Sequence, residues 1–247
     1  MNGRTEGRVC LNTEHISRES SNMSDPLRFE RATDHLQAAY GRPCLPTADS
    51  TWALALQVLF GISTGHHLSP VLNEILRSPP LVSPTQTVSS TTGHLVEVLN
   101  PIPRGPQKSS VVRAMAAWWI EQFGDEISPQ WSKGLDFYRV SLRTLRGLGP
   151  STVDELLLFA ARLNVFPLDR SALRVAVRHG WLALPLEEEE AQLFFIDGLK
   201  QAKIDPREFS SLLSKVGENH CGREPICDGC ALQALLPTGG PLSPESY

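Results

Sequence analysis

The sequence predicts an all-α fold, and three observations carry that prediction. Apolar residues recur at helical spacing through most of the chain. No segment alternates apolar and polar residues over more than four positions, which leaves little room for strands. Glycine and proline stand where helices should stop and start, as at Gly124 and Pro129.

Taken in order, residues 1–25 lack periodicity and are rich in Ser, Asn, Glu and Arg. They read as a disordered extension, with Met23 a natural start and the first 22 residues dispensable. Helical patterns follow over 27–40, 52–60 and 70–77. The stretch 78–90, rich in Pro, Ser and Thr, reads as a loop. Further helices are predicted over 111–123, 135–143, 152–163, 171–178, 188–202 and 207–216, giving nine or ten in all. The acidic run 187–190 suits the positive end of a helix dipole. The tail 237–247, with three Pro and two Gly, reads as flexible.

Composition narrows the class. A hydrophobic content of 41% fits a globular protein. The longest apolar runs, such as Ala114 to Ile120, fall far short of the roughly 18–20 residues of a membrane span, and no signal peptide core precedes them. The expected location is the cytoplasm, beside the nucleoid if the source is bacterial. The net charge of −4 hides an asymmetry. Between Pro101 and Gly180 eleven Lys/Arg face seven Asp/Glu, whereas the remainder holds twelve against twenty. Screening confines each field to about 8 Å, so a basic face can coexist with an acidic remainder. Three of the five cysteines crowd into Cys221, Cys227 and Cys230, which suggests a metal or cluster site, or its remnant, more than a disulfide framework.

The most informative segment is Leu145-Arg146-Gly147-Leu148-Gly149-Pro150-Ser151-Thr152-Val153. An apolar helix precedes it, and an amphipathic one follows with Val153, Leu156, Leu157, Ala160 and Leu163 on one face. Gly147 and Gly149 can adopt backbone angles closed to other residues, and Pro150 suits a first helical turn. Such a hairpin presents backbone N–H groups at a helix start, where a DNA phosphate is a natural and sequence-indifferent occupant. Eighteen residues beyond Ser151 a short apolar segment ends in Asp169, directly before the next helix. An aspartate there is either a simple N-cap or a functional carboxylate.

The pair formed by this hairpin and Phe166-Pro167-Leu168-Asp169-Arg170-Ser171 resembles the signature of the endonuclease III-like, helix-hairpin-helix DNA glycosylases. Weaker anchors are the Trp52-Ala-Leu-Ala-Leu-Gln-Val-Leu opening and the stretch from Arg104 to Lys108, so the similarity spans Trp52 to Cys230. The resemblance implies two helical lobes with DNA in the cleft between them. A six-helix barrel would occupy 49–163, with the hairpin at about 136–163, and residues 26–48 plus 164–236 would form the terminal lobe. It also implies that the target nucleotide is rotated out of the duplex, because its glycosidic bond is unreachable inside the stack. By resemblance, the catalytic positions are Asp169, the carboxylate that steadies the cationic sugar or deprotonates the attacking water, and Ser151 at the start of the hairpin's second helix.

Departures from the pattern matter as much. Bifunctional members carry a lysine at the position of Ser151, and serine cannot form the Schiff base that leads to strand cleavage. A monofunctional enzyme is expected, monomeric, acting on double-stranded DNA with a damaged or mismatched base. No carboxylate lies between Trp52 and Gly65, which disfavours the adenine-specific relatives. Ile62 stands near the residue, often Gln, that fills the gap left by the flipped base; it is either a wedge or a core residue. The expected DNA-binding set is Leu145, Arg146, Gly147, Leu148, Gly149, Ser151, Thr152, Arg170, Arg174, Ile62, Arg104 and Lys108. Arg178 continues the Arg170–Arg174 stripe but reads as a solvated position.

Many relatives hold a [4Fe-4S] cluster with Cys-x6-Cys-x2-Cys-x5-Cys. Here Cys221-x5-Cys227-x2-Cys230 is one residue short, and the fourth position falls at Leu236. His220 restores the first spacing, while Cys44 or Cys10 would have to arrive from afar. A degenerate site without a cluster, a cluster completed by such substitutes and a zinc ion are the three readings. Two rivals to the enzyme remain: a DNA-binding protein of the same fold whose pocket has decayed, and a protein-interaction or metal-sensing role centred on Cys221, Cys227 and Cys230.

Overall fold

The computed structural model describes residues 26–61 and 70–243. The expectations for residues 1–25, Ile62, Cys10 and the last four residues lie outside the described residues. Eleven α-helices are found among the described residues: α1 Pro26–Tyr40, α2 Thr51–Leu59, α3 Pro70–Leu76, α4 Pro84–Ser89, α5 Thr92–Leu99, α6 Gly105–Phe123, α7 Leu135–Arg143, α8 Pro150–Phe159, α9 Arg170–Arg178, α10 Glu188–Gln201 and α11 Pro206–Asn219. Extended pairing among them is limited to one isolated bridge, Cys221 to Pro225. The all-α expectation holds.

Two helices arise where the sequence suggested loop or nothing. Residues 78–90 contain α4, which begins because Ser83 accepts a hydrogen bond from the Gln86 N–H at 3.3 Å and Pro84 pre-sets the first turn. Thr87, polar but fully buried, donates to the Pro80 carbonyl at 2.8 Å, so the Ser/Thr content that looked like loop serves as caps and internal bonds. In α5, Thr91 caps the His94 N–H at 3.2 Å. At the other extreme, α8 ends at Phe159 rather than at 163, where Arg162 turns left-handed (φ 57°) and the Leu163 N–H returns to the Leu157 carbonyl at 2.9 Å. Ala160 and Leu163 still pack on the core, which is why periodicity overran the helix.

Side chains bury themselves in two separate groups. The first runs from Trp52 to Val165 and centres on Trp52, Trp119, Tyr138 and Phe159, with α6 packed on α4 and α5, and α8 on α2 and α7. The second joins Phe29, Ala32 and Leu36 of α1 to Phe166 and the helices that follow, with α9 on α11 and α1 on α10 and α11. Phe166 stacks on Phe195 at 4.2 Å, and Gly198 lets the Phe29 ring lie where a Cβ would approach within 1.9 Å. The chain passes from one group to the other between Val165 and Phe166, three residues before Asp169.

Candidate active site

The hairpin between α7 and α8 is built by local rules. Thr144 ends α7, the Leu145 N–H bonds the Leu142 carbonyl at 3.0 Å, and the Leu148 N–H bonds the Leu145 carbonyl at 3.1 Å. Gly147 needs to be glycine twice over: its φ is 95°, and a Cβ there would lie 2.5 Å from Val111 Cγ2. Gly149 does not share that need, since its φ of −77° is open to any residue, so the expectation of two special glycines narrows to one. Leu148 anchors the turn in the first core while Arg146, Gly147 and Gly149 stay exposed. No side chain caps α8, and the first helical bond is made by the Val153 N–H to the Gly149 carbonyl at 3.0 Å. The amides of Ser151 and Thr152 therefore open out of a helix start, an arrangement that favours an anion.

Ser151 then links this helix to the acidic residue. Its hydroxyl donates to the Leu168 carbonyl at 3.2 Å, which places Asp169 next to the hairpin although it lies eighteen positions further along the chain. Asp169 is half-buried at the N-terminus of α9, where Oδ1 accepts the Ala172 N–H at 2.7 Å. Burial pushes its carboxyl above the ordinary value of 3.8, against the pull of the Ala172 and Ser171 hydrogen bonds and of Arg174. The residue is thus an N-cap, but one whose charge is left in a less hydrated place than capping requires.

A second connection lies behind the hairpin. Asp154 of α8, 1% exposed, accepts from Arg139 Nε at 2.9 Å and from Gln192 Nε2 at 2.8 Å. Gln192 Oε1 in turn accepts the Phe166 N–H at 3.1 Å. One amide of α10 therefore joins the hairpin helix to the segment that carries Asp169. Burial raises the Asp154 carboxyl, and Arg139 and Arg143 oppose that shift. Sequence reading missed this pair; the only signal was an acidic Asp154 directly after Val153, two positions before the apolar run Leu156 to Phe159 begins.

The basic residues divide. Arg170 is exposed and Arg174 half-buried on α9, and both line an open hollow of about 650 Å³ with Arg223 and Glu224. Arg104 is exposed at the start of α6. Lys108, expected on the DNA face, is turned inward: its ammonium donates to the Leu59 carbonyl at the end of α2 and lies 5.6 Å from the Phe60 ring centre. Burial lowers its pKa, helped by Arg104 and opposed by Glu155. Arg178 is a clear correction. The position read as solvated is 7% exposed, and its guanidinium points into the cysteine loop.

No family model matches the chain. Over 159 residues it is 21% identical to a protein of Methanocaldococcus jannaschii provisionally named a DNA repair glycosylase, an alignment covering 64% of this chain and 72% of that relative. Among solved structures it superposes on a non-covalent endonuclease III–DNA complex with a TM-score of 0.61 at 16% identity, over 86% of this chain and 95% of the other. A thermostable thymine-DNA glycosylase gives 0.61 at 15% identity, over 85% and 93%. A trapped endonuclease III–DNA covalent intermediate gives 0.58 at 16%, over 85% and 95%. The chain has the endonuclease III fold.

Many members of the family that the sequence resembles close the C-terminal loop with a [4Fe-4S] cluster, and the residues present here do not fit one. Cys221, buried, accepts from Arg178 Nη1 at 3.2 Å, so a cation already sits against the first sulfur. The hollow shared by Cys221, Cys227 and Cys230 is about 20 Å³, room for about one water and not for eight cluster atoms. Leu236, at the fourth ligand position, lines it with an apolar side chain. His220 Nδ1 faces the Ile226 carbonyl at 3.1 Å, and Cys44 is exposed elsewhere. Among the described residues no group of three His, Cys, Asp or Glu is placed to hold a metal ion.

Proposed function

We propose that the chain is a DNA N-glycosylase of base-excision repair, working as a monomer on double-stranded DNA that holds a damaged or mismatched base. The observation that carries the reading is the Ser151–Leu168 hydrogen bond, because it sets a half-buried carboxylate beside a phosphate-ready hairpin. The two core groups change over at this point, so a cleft between the lobes would have Asp169 on its wall. The hairpin amides, Arg146, Arg170 and Arg174 would hold the strand by its phosphates. With the nucleotide flipped into the cleft, water adds at C1′ as the C1′–N bond breaks, and the base leaves with the bonding pair and takes up a proton. Asp169 supports the positive sugar and accepts the proton of the attacking water.

Ser151 makes this enzyme monofunctional, since the hydroxyl that bonds Leu168 offers no amine for an imine. A panel of duplexes carrying uracil, alkylated purines, oxidised pyrimidines or mismatches tests both points. One of them should yield an abasic site, cut only after alkali, and borohydride should trap no covalent complex. Binding without base release from any of them would leave the decayed DNA-binding module as the answer.

Acid should silence the enzyme early. Once protonated, Asp169 has no charge to set against the developing cation. Because burial raises its pKa above 3.8, base release should fall with decreasing pH while ordinary surface carboxylates are still ionised. Single-turnover rates from pH 4 to 8, with DNA binding measured in parallel, check this. A flat rate across that range would remove the carboxylate from the chemistry.

A further inference from the structure

We propose that Arg178 closes the C-terminal loop in place of a metal cluster, so that the loop is fastened by a guanidinium and is independent of metal. The residue ends α9, and its fork of donors meets three acceptors at the start of the loop. Nη1 donates to Cys221 Sγ at 3.2 Å and to the Gly222 carbonyl at 2.8 Å, and Nη2 donates to the Arg223 carbonyl at 2.8 Å. The backbone of the same residue holds the far end of the segment, because its carbonyl accepts the Leu242 N–H at 2.9 Å. Between these points the loop is tied to itself by the Ile226 N–H to the His220 carbonyl at 2.8 Å and by the Cys221–Pro225 bridge.

The physics of the exchange is straightforward. A cluster draws a loop together because several thiolates converge on one centre of positive charge. A guanidinium is also a centre of positive charge, permanently ionised and planar, with donors in a fixed fork. Buried to 7% exposure, it needs acceptors, and loop carbonyls and a sulfur supply them. A metal ion at Cys221 would compete for the same sulfur and be repelled by the same cation. Arg178 also shares with Arg223 the wall of the 650 Å³ hollow, so fastening the loop fixes where Arg223 stands.

The test uses the full chain purified without oxygen from cells supplied with iron and zinc. Substoichiometric metal, no visible absorption and a Tm unchanged by a strong chelator are expected. Cys227→Ser with Cys230→Ser should leave Tm within about 2 °C of the parent. Arg178→Gln should lower Tm by about 5 °C or more and make Cys221 alkylate rapidly in peptide-resolved labelling, whereas in the parent it stays protected. Should Arg178→Gln fail to fold, Arg178→Lys, which keeps the charge and loses the fork, is expected to show the same exposure of Cys221 with a smaller loss of Tm. Stoichiometric iron or zinc, collapse on chelation or in the double serine variant, or Arg178 variants in which Cys221 stays protected would each overturn the proposal. None of these readouts depends on glycosylase activity.

Discussion

Asp169→Asn is expected to reduce base release by about a thousandfold while DNA binding persists. The substitution removes the charge. Asparagine ranks with aspartate as an N-cap, and its amide oxygen can still accept the Ala172 N–H that Oδ1 accepts at 2.7 Å, so α9 keeps its start. The shape beside the hairpin is retained, and the amides of Ser151 and Thr152 are untouched. The negative charge disappears, and of the two oxygens that accept from Ala172 and Ser171 one becomes an NH2 donor. The lost charge's interaction with a cationic sugar is strongest in a place poor in water. Stability should move the other way. A carboxyl whose folded pKa is raised disfavours folding at pH above the unfolded value, and a neutral amide removes that cost. A Tm at pH 7 equal to or above the parent, with base release nearly gone and abasic-site DNA still bound, is the expected triple outcome. Asp169→Ala is less informative, because it also removes a cap worth about 1 kcal/mol. Base release by Asp169→Asn at the parent's rate would end the assignment.

What the sequence made legible was whatever obeyed a local rule. The all-α class, the hairpin and the position of Asp169 follow from helical spacing, from the φ demand at Gly147 and from capping chemistry. Each of these is settled within a few residues of chain. The failures share another cause. Arg178 looked solvated because its helix neighbours Arg170 and Arg174 are basic, yet its partners lie 43 to 45 residues further on. Lys108 was expected on the far side of the lesion, and its acceptor here is a carbonyl 49 residues earlier. Helix α4 was hidden because Ser and Thr serve loops and caps equally, and only the Pro80 carbonyl shows which. Long polar side chains take their meaning from tertiary partners, and spacing along the chain carries no record of those.

Asp154 is the sharpest instance, and its removal should cost substantial stability. Asp154→Ala leaves Arg139 facing a void where Oδ1 now lies at 2.9 Å, and strands the Gln192 amide inside the protein. Breaking a buried pair from one side costs about 3–5 kcal/mol, far more than such a pair contributes net, because the surviving charge stays desolvated. For a chain of this size that corresponds to a Tm lower by about 6–20 °C. Two controls separate charge from packing. Gln192→Glu keeps the shape yet sets a second acid against Asp154 Oδ2, at the 2.8 Å now spanned by a donor, and should be nearly as harmful at pH 7 but milder in acid. Gln192→Met removes the bridge without adding charge and leaves the buried Phe166 N–H unpaired, for about 1–3 kcal/mol. Thermal melts of the three variants at pH 5 and pH 7 provide the check, and an Asp154→Ala melt within 2 °C of the parent would be fatal to the account. On the proposed reading, the network bears on function as well. It links the hairpin helix to the backbone three residues before Asp169, so whatever loosens it should let the phosphate grip and the carboxylate drift apart. Folded Gln192→Met is accordingly expected to bind DNA at close to parental affinity yet release base more slowly, which a purely structural role for Gln192 would not produce.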